Sequence, residues 1–154
     1  GGGGGQRHPD VREVDGLLTD IVDLCSLIFA YSLMIADKRG IAAADVSLVS
    51  PESGKAYNHL LSRYVQLEEV LITSNYRTAV GCEEVEEDCD FAVSTITDDT
   101  FHILSKATAR AIETQHAASA SAVIQHANHV LSHELKVRIF SPRLSLCFCV
   151  CWPS

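Results

Sequence analysis

The stretch STITDDTFHILSKATARAI, Ser94 to Ile112, decides the fold class. Thr95 followed by Asp98 has capping-box spacing, with Asp in place of the usual Glu. Asp98 and Asp99 sit where the positive end of the helix dipole favours acids. At about 100° per residue, Phe101, Leu104, Thr108, Ala111 and Ile112 share an apolar side. Asp99, His102, Lys106, Arg110 and Glu113 share a charged side facing solvent. Ala107, Ala109 and Ala111 are small enough to let a neighbouring helix come close. The segment reads as a helix for packing, with no residue poised for chemistry.

The same period extends outward in both directions. A first long helix is expected from Pro9 or Asp10, because Leu17, Leu18, Ile21, Leu24, Cys25, Ile28 and Ile35 recur at helical spacing. It should stop at ADKRG, with Lys38 and Arg39 at the negative end of the dipole and Gly40 as the cap. SPESGKAY then gives a loop and a helix start. The second helix carries Leu60, Leu61, Tyr64, Leu67, Val70 and Leu71 on a wide apolar face. GCEEVEEDCD is an acidic connector. After a bend around Gln115–Ala118, SASAVIQHANHVLSHEL is a fourth amphipathic stretch. Strand alternation is absent over any useful length. The expected fold is all-α, with antiparallel helices. The expected organisation is a Gly-rich lead-in over 1–8, a helical segment over 9–136 with an acidic loop near 81–93, and an atypical Cys-rich tail over 137–154.

Composition excludes several function classes. The net charge of −8 and only 12 Lys and Arg, scattered, argue against nucleic acid and against a basic membrane patch. No secretory signal is visible, and the chain begins with a Gly run instead of Met, so an internal fragment is expected. The most apolar run, LCSLIFAYSLMIA from Leu24 to Ala36, is about 13 residues against the roughly 20 of a spanning helix. It reads as a helix buried in protein. None of the six cysteines forms a CxxC pair, and reduced, cytosolic thiols are expected.

Three features invite a chemical reading. His126, His129 and His133 are spaced to share one helix face, which suits metal. Yet the order is not HExxH and no fourth ligand follows, so a polar helix surface is the better reading. Glu83, Glu84, Glu86, Glu87, Asp88 and Asp90 are contiguous, unlike the alternating ligands of a calcium loop, and read as a solvated connector. The tail CFCVCWPS could carry palmitate or soft metal. A sharper expectation is that LKVRIF translates an unspliced donor site, so that everything beyond Lys136 is intron-derived. A spliced transcript still encoding CFCVC would sink that idea.

Three segments also carry a family pattern. In EVDGLLTDIVDL, Glu13, Asp15, Leu18 and Thr19 follow a Glu-Leu-Asp-Pro-hydrophobic-Leu-Thr-Glu helix start, with Gly16 in place of Pro. In LSRYVQLEEVLI, Tyr64, Val65, Glu68 and Glu69 follow Tyr-Val-x-x-Glu-Glu. In the opening helix, Ser94, Asp98, Asp99, Phe101, Ile103, Lys106, Arg110 and Ala111 fall in step with a third pattern. In this order and spacing the chain resembles the middle region of subunit 4 of the conserved oligomeric Golgi complex, over roughly Glu13 to Lys136. The departures are the lead-in, the loop between Ile41 and Lys55, and the tail.

The resemblance implies a non-enzymatic segment of a helical rod of the CATCHR tethering type, with no cofactor and no catalytic or metal residue. Its packing or interaction candidates are Tyr64, Glu68, Asp98, Asp99, Phe101, Leu104 and Arg110. The implied place is the cytosolic face of the Golgi, where such tethers capture retrograde vesicles as peripheral membrane proteins without a transmembrane segment. The implied partners are the other subunits of the complex. SNAREs and their regulators would be engaged through parts of the parent protein outside this segment. Two alternatives stay open on the residues alone. One is a helical metal-binding protein or enzyme using His126, His129 and His133; the other is an unrelated all-α scaffold or adaptor.

Overall fold

The computed structural model describes residues 11–40, 51–83, 85–86 and 93–139. The Gly lead-in, most of the acidic connector and the tail from Phe140 lie outside them. Helix α1 spans Val11–Arg39 and α2 Pro51–Gly81. A two-residue antiparallel pair follows, β1 (Val85–Glu86) with β2 (Val93–Ser94), in the register Val85 to Ser94 and Glu86 to Val93. Helix α3 spans Ile96–Glu113 and α4 Ala117–His129. The last helix continues through a widened π turn, Val130–Leu135, into α5, Lys136–Ile139, past Lys136.

Cross-contacts give the directions. Asp15 and Glu68 meet the same Arg110, Ser26 reaches Glu113, and Thr73 reaches His126. The four long helices therefore alternate in direction, as in an up-down bundle. Helix α2 is the hub, packing on α1, α3 and α4. The core is drawn from Leu18, Val22 and Cys25 of α1, Leu61, Tyr64 and Ile72 of α2, Ile96, Leu104 and Ala111 of α3, and Val123 and Val130 beyond.

Local signals explain the boundaries. Gly40 stands at φ 65° just past α1, and its N–H reaches Asp37 O at 3.2 Å, a left-handed stop that a glycine adopts without strain. The capping box expected at Thr95 does not form: Thr95 is already helical, with no side-chain cap bond. Ser94 supplies it instead, its Oγ accepting from Ile96 N–H at 3.3 Å. The bend between α3 and α4 turns on Gln115, at φ 56°. His116 then caps α4, accepting from Ser119 N–H at 3.2 Å. Further on, the buried residues Val123, Ala127, Val130 and Leu135 fall at intervals of four, three and five. The five-residue step is out of α-helical register, and the π turn brings Leu135 back onto the core.

Two expectations are corrected here. The apolar run Leu24–Ala36 is not buried all round. Cys25 and Ala36 face inward, but Leu24, Leu27, Phe29, Tyr31, Leu33 and Met34 are exposed. Leu24 lies on the side of α1 turned away from the core, and beyond Ser26, which is level with the end of α3 at Glu113, α1 runs on past that neighbour. By length and composition α1 could cross a membrane, but its first half is built into the core. The second correction concerns α3. Its buried line is Ile96, Thr100, Leu104, Ala107 and Ala111 with Arg110 beside it, while Phe101 and Ile112 point out. Ala107 and Ala111 are themselves buried, so the packed line runs through the small residues. Phe101 and Ile112 lie about 100° around the helix from that line.

Candidate functional site

The most organised polar site lies where α1, α2 and α3 meet. Asp15, in the second turn of α1, is set by the register that buries Val14 and Leu18 on either side of it. Glu68 comes from the middle of α2, one turn after Tyr64, both fully buried. Lys106 and Arg110, one turn apart on α3, lie on the edge turned toward α1 and α2. Arg110 bridges the acids: Nη1 donates to Asp15 Oδ1 and Nη2 to Glu68 Oε1, each at 2.5 Å. Lys106 Nζ donates to both Asp15 oxygens, at 3.0 and 2.9 Å. Two acids and two bases thus cancel within one cluster. The Tyr64 hydroxyl, Glu68 Oε2 and Arg110 Nε are buried without a partner in hydrogen-bond geometry.

The electrostatics follow from burial. Desolvation pushes the Glu68 carboxyl up, against the pull of the Arg110 guanidinium. Burial works against the Arg110 charge as well, but Glu68 and Asp15 more than offset it, so its pKa is raised. The Lys106 ammonium, with Arg110, overcomes partial burial and holds Asp15 below its ordinary 3.8. Burial, then the neighbouring Glu68 carboxylate, keeps the Tyr64 phenol neutral far up the pH scale.

These shifts have opposite signs in stability. The depressed Asp15 stabilises the fold above its ordinary pKa, and that contribution is lost as pH falls through its folded value. The raised Glu68 contributes below its ordinary pKa and loses that contribution as pH rises through its folded value. Asp15→Asn should therefore lose less melting temperature than wild type between about pH 5 and pH 3. Melts across that window check it, and parallel decline of the two proteins would refute the assignment.

A second polar node lies where α2 ends and α3 begins. Ser94 Oγ donates to Glu83 Oε1 at 2.6 Å, and Arg138 donates to Glu83 Oε2 from Nη2 at 2.6 Å and from Nε at 3.0 Å. Ser94, against burial and helped by Arg138, holds Glu83 below its ordinary value. Glu83, read in the sequence as part of a solvated connector, is instead a clamp. It ties the end of α2 to the start of α3 and to α5.

The candidates named from sequence divide clearly. Tyr64, Glu68 and Arg110 come together in one cluster, and Leu104 lies in the core. Arg110, expected on the solvent side, is only 8% exposed. Phe101, expected on the packed side, is 55% exposed, and Asp98 and Asp99 stay at the surface in the first turn of α3. Asp15 and Lys106 were not singled out as site residues. A signal for them existed: both stand in the family patterns, in segments 91 residues apart that meet at one carboxylate.

The three histidines lie on α4 and on the π turn that continues it. His126 Nε2 lies 3.3 Å from Thr73 Oγ1, turned toward α2. His129 and His133 are exposed, their ring centroids 4.7 Å apart and their planes tilted by 35°. The three imidazoles expected on one face thus do not converge, because the first is drawn into the α2–α4 seam. Among the described residues no group of three His, Cys, Asp or Glu side chains gathers for a metal. An open groove of about 760 Å³ runs between Val11 and Val14 of α1, Val70 and Arg77 of α2, and His126. Thr73 and His126, 3.3 Å apart, both line it, with Glu69 and Ser74 beside them on α2.

A geometry of packed helices and interior ion pairs agrees with what the chain is similar to. Residues 3–144 match the family described as COG4 transport protein, middle alpha-helical bundle. The chain is 29% identical, over 92% of its length, to the conserved oligomeric Golgi complex subunit 4 of Arabidopsis thaliana. It spans about a fifth, 21%, of that relative's length. No solved structure matches. With the family pattern matched over most of its residues, the chain belongs to the COG4 transport protein family, as its middle alpha-helical bundle.

Proposed function

We propose that this chain is a segment of the helical rod of a Golgi vesicle-tethering subunit, acting without catalysis in retrograde intra-Golgi transport. It works at the cytosolic face of the Golgi, as a peripheral component held there through the other subunits of the complex. SNAREs and their regulators are engaged by other parts of the parent protein. The observation that carries the reading is the cluster of Asp15, Tyr64, Glu68, Lys106 and Arg110. Residues from all three family-patterned segments converge there, and they are spent on locking helices together instead of on a substrate pocket. A tether needs length and stiffness, which packed helices supply.

The test is a chimera. The corresponding bundle of a full-length relative is replaced by residues 11–139 of this chain, in cells lacking the native subunit. Complex assembly and normal Golgi glycosylation are expected to return. A chimera that accumulates to normal levels yet restores neither would refute the reading.

A further inference from the structure

The turn between α3 and α4 is held by one imidazole. Thr114, fully buried, ends α3 with its Oγ1 donating to Ala111 O at 2.7 Å, and the same oxygen accepts from His116 N–H at 3.3 Å. Gln115 between them stands at φ 56°, a left-handed conformation that side chains disfavour. His116 returns to extended backbone, φ −116° and ψ 103°, and its Nδ1 accepts from Ser119 N–H at 3.2 Å. Ser119 Oγ lies 2.8 Å from the same nitrogen, and the residue is buried.

Helix N-caps are ordinarily Ser, Thr, Asp or Asn, whose oxygens accept throughout the neutral range. An imidazole nitrogen accepts only while it carries no proton. The cap on α4 therefore requires a neutral ring with its hydrogen on Nε2. A proton on Nδ1 turns that nitrogen into a donor. It can still bond to Ser119 Oγ, but the buried Ser119 N–H loses its acceptor. The charged ring would also sit at the positive end of the α4 dipole, where no acid in the first turn offsets it. The ring meets Tyr57 of α2 edge-on, centroids 6.4 Å apart. Burial pushes the Tyr57 phenol up to about 12 and raises the thiol of Cys25 on α1 beside it, so both stay neutral. Glu113, at the end of α3, is the nearest acid along the chain and is exposed.

We propose that His116 is a proton-operated cap, which holds the first turn of α4 and the α3–α4 turn while its ring is neutral and releases them when the ring is charged. The cap's contribution to stability is full in mild alkali and is lost as pH falls through the range, about 8 to 5, in which imidazoles take up a proton. His116→Asn keeps an acceptor that does not titrate. It should melt within about 2 °C of wild type at pH 8 and about 3 °C above it at pH 5. His116→Ala should melt about 3 °C below wild type at pH 8 but no lower than it at pH 5, where the wild-type cap is already open. In NMR spectra of the 154-residue chain, the Ser119 amide resonance should move in step with titration of the His116 ring. Melts of the three proteins that shift in parallel between pH 8 and pH 5 overturn the proposal. So does a Ser119 amide that does not follow the ring, a readout on wild type that decides even where a variant fails to fold.

Discussion

Arg110→Ala should lower the stability of the bundle by about 3–5 kcal/mol, the range for breaking a buried ion pair from one side. The guanidinium is the cation that touches Glu68, whose side chain is fully buried in α2. Truncation leaves that carboxylate with neither water nor a counter-charge. Asp15 fares better, since it keeps Lys106 and is about a third exposed. The loss should therefore appear at neutral pH and shrink on acidification, as Glu68 takes up a proton and ceases to be a buried charge. Replacing both members, Glu68→Leu with Arg110→Met, should recover most of the stability, because apolar side chains of similar volume often serve a buried site as well as the pair they replace. Urea denaturation of the three proteins tests this. An Arg110→Ala variant within about 0.5 kcal/mol of wild type would show that the interior pair contributes nothing.

Leu104→Ala should cost about 2–5 kcal/mol, because Leu104 is 4% exposed in the line where α3 packs on its neighbours. Ala107 and Ala111, on the same line, have no side-chain length with which to fill the space it leaves. The loss is a large share of the roughly 5–15 kcal/mol that holds a domain together. Phe101→Ala is the control, three residues away on the same helix. Its ring is mostly in solvent, and the change should stay within about 0.5 kcal/mol. In a full-length family member, the leucine variant should fall in abundance and the phenylalanine variant should not. Equal melts for the two, or a Phe101→Ala loss larger than that of Leu104→Ala, would place the packed face of α3 elsewhere.

The contrast between those residues shows where reading one helix at a time stops working. The number of long helices, the stop at Gly40, the break before Ala117 and the all-α class were legible because they rest on local causes. Those causes are helical period, a residue that tolerates positive φ, and acids at a helix start. Which side of α3 is packed was not legible in the same way. By period alone Phe101, Leu104 and Ile112 make the apolar side, and Arg110 belongs to the water. Burial of the line from Ile96 to Ala111 among the neighbouring helices decides otherwise. Leu135 is a similar case, since only the widened turn after Val130 brings it inward.

The interior cluster divides along the same line. The residue types and their spacing within each segment were set by the sequence: Asp15 in a helix start, Glu68 a turn beyond Tyr64, Lys106 a turn before Arg110. Their meeting was not, because no periodicity within a segment relates residues 15, 68 and 110. That relation comes from the directions of three helices, which the bundle fixes by burying its apolar lines. Once those lines are buried, Arg110 has nowhere to put its charge except between two carboxylates. Local physics determined what each helix is; burial shared among helices decided which of their charged residues hold the bundle together.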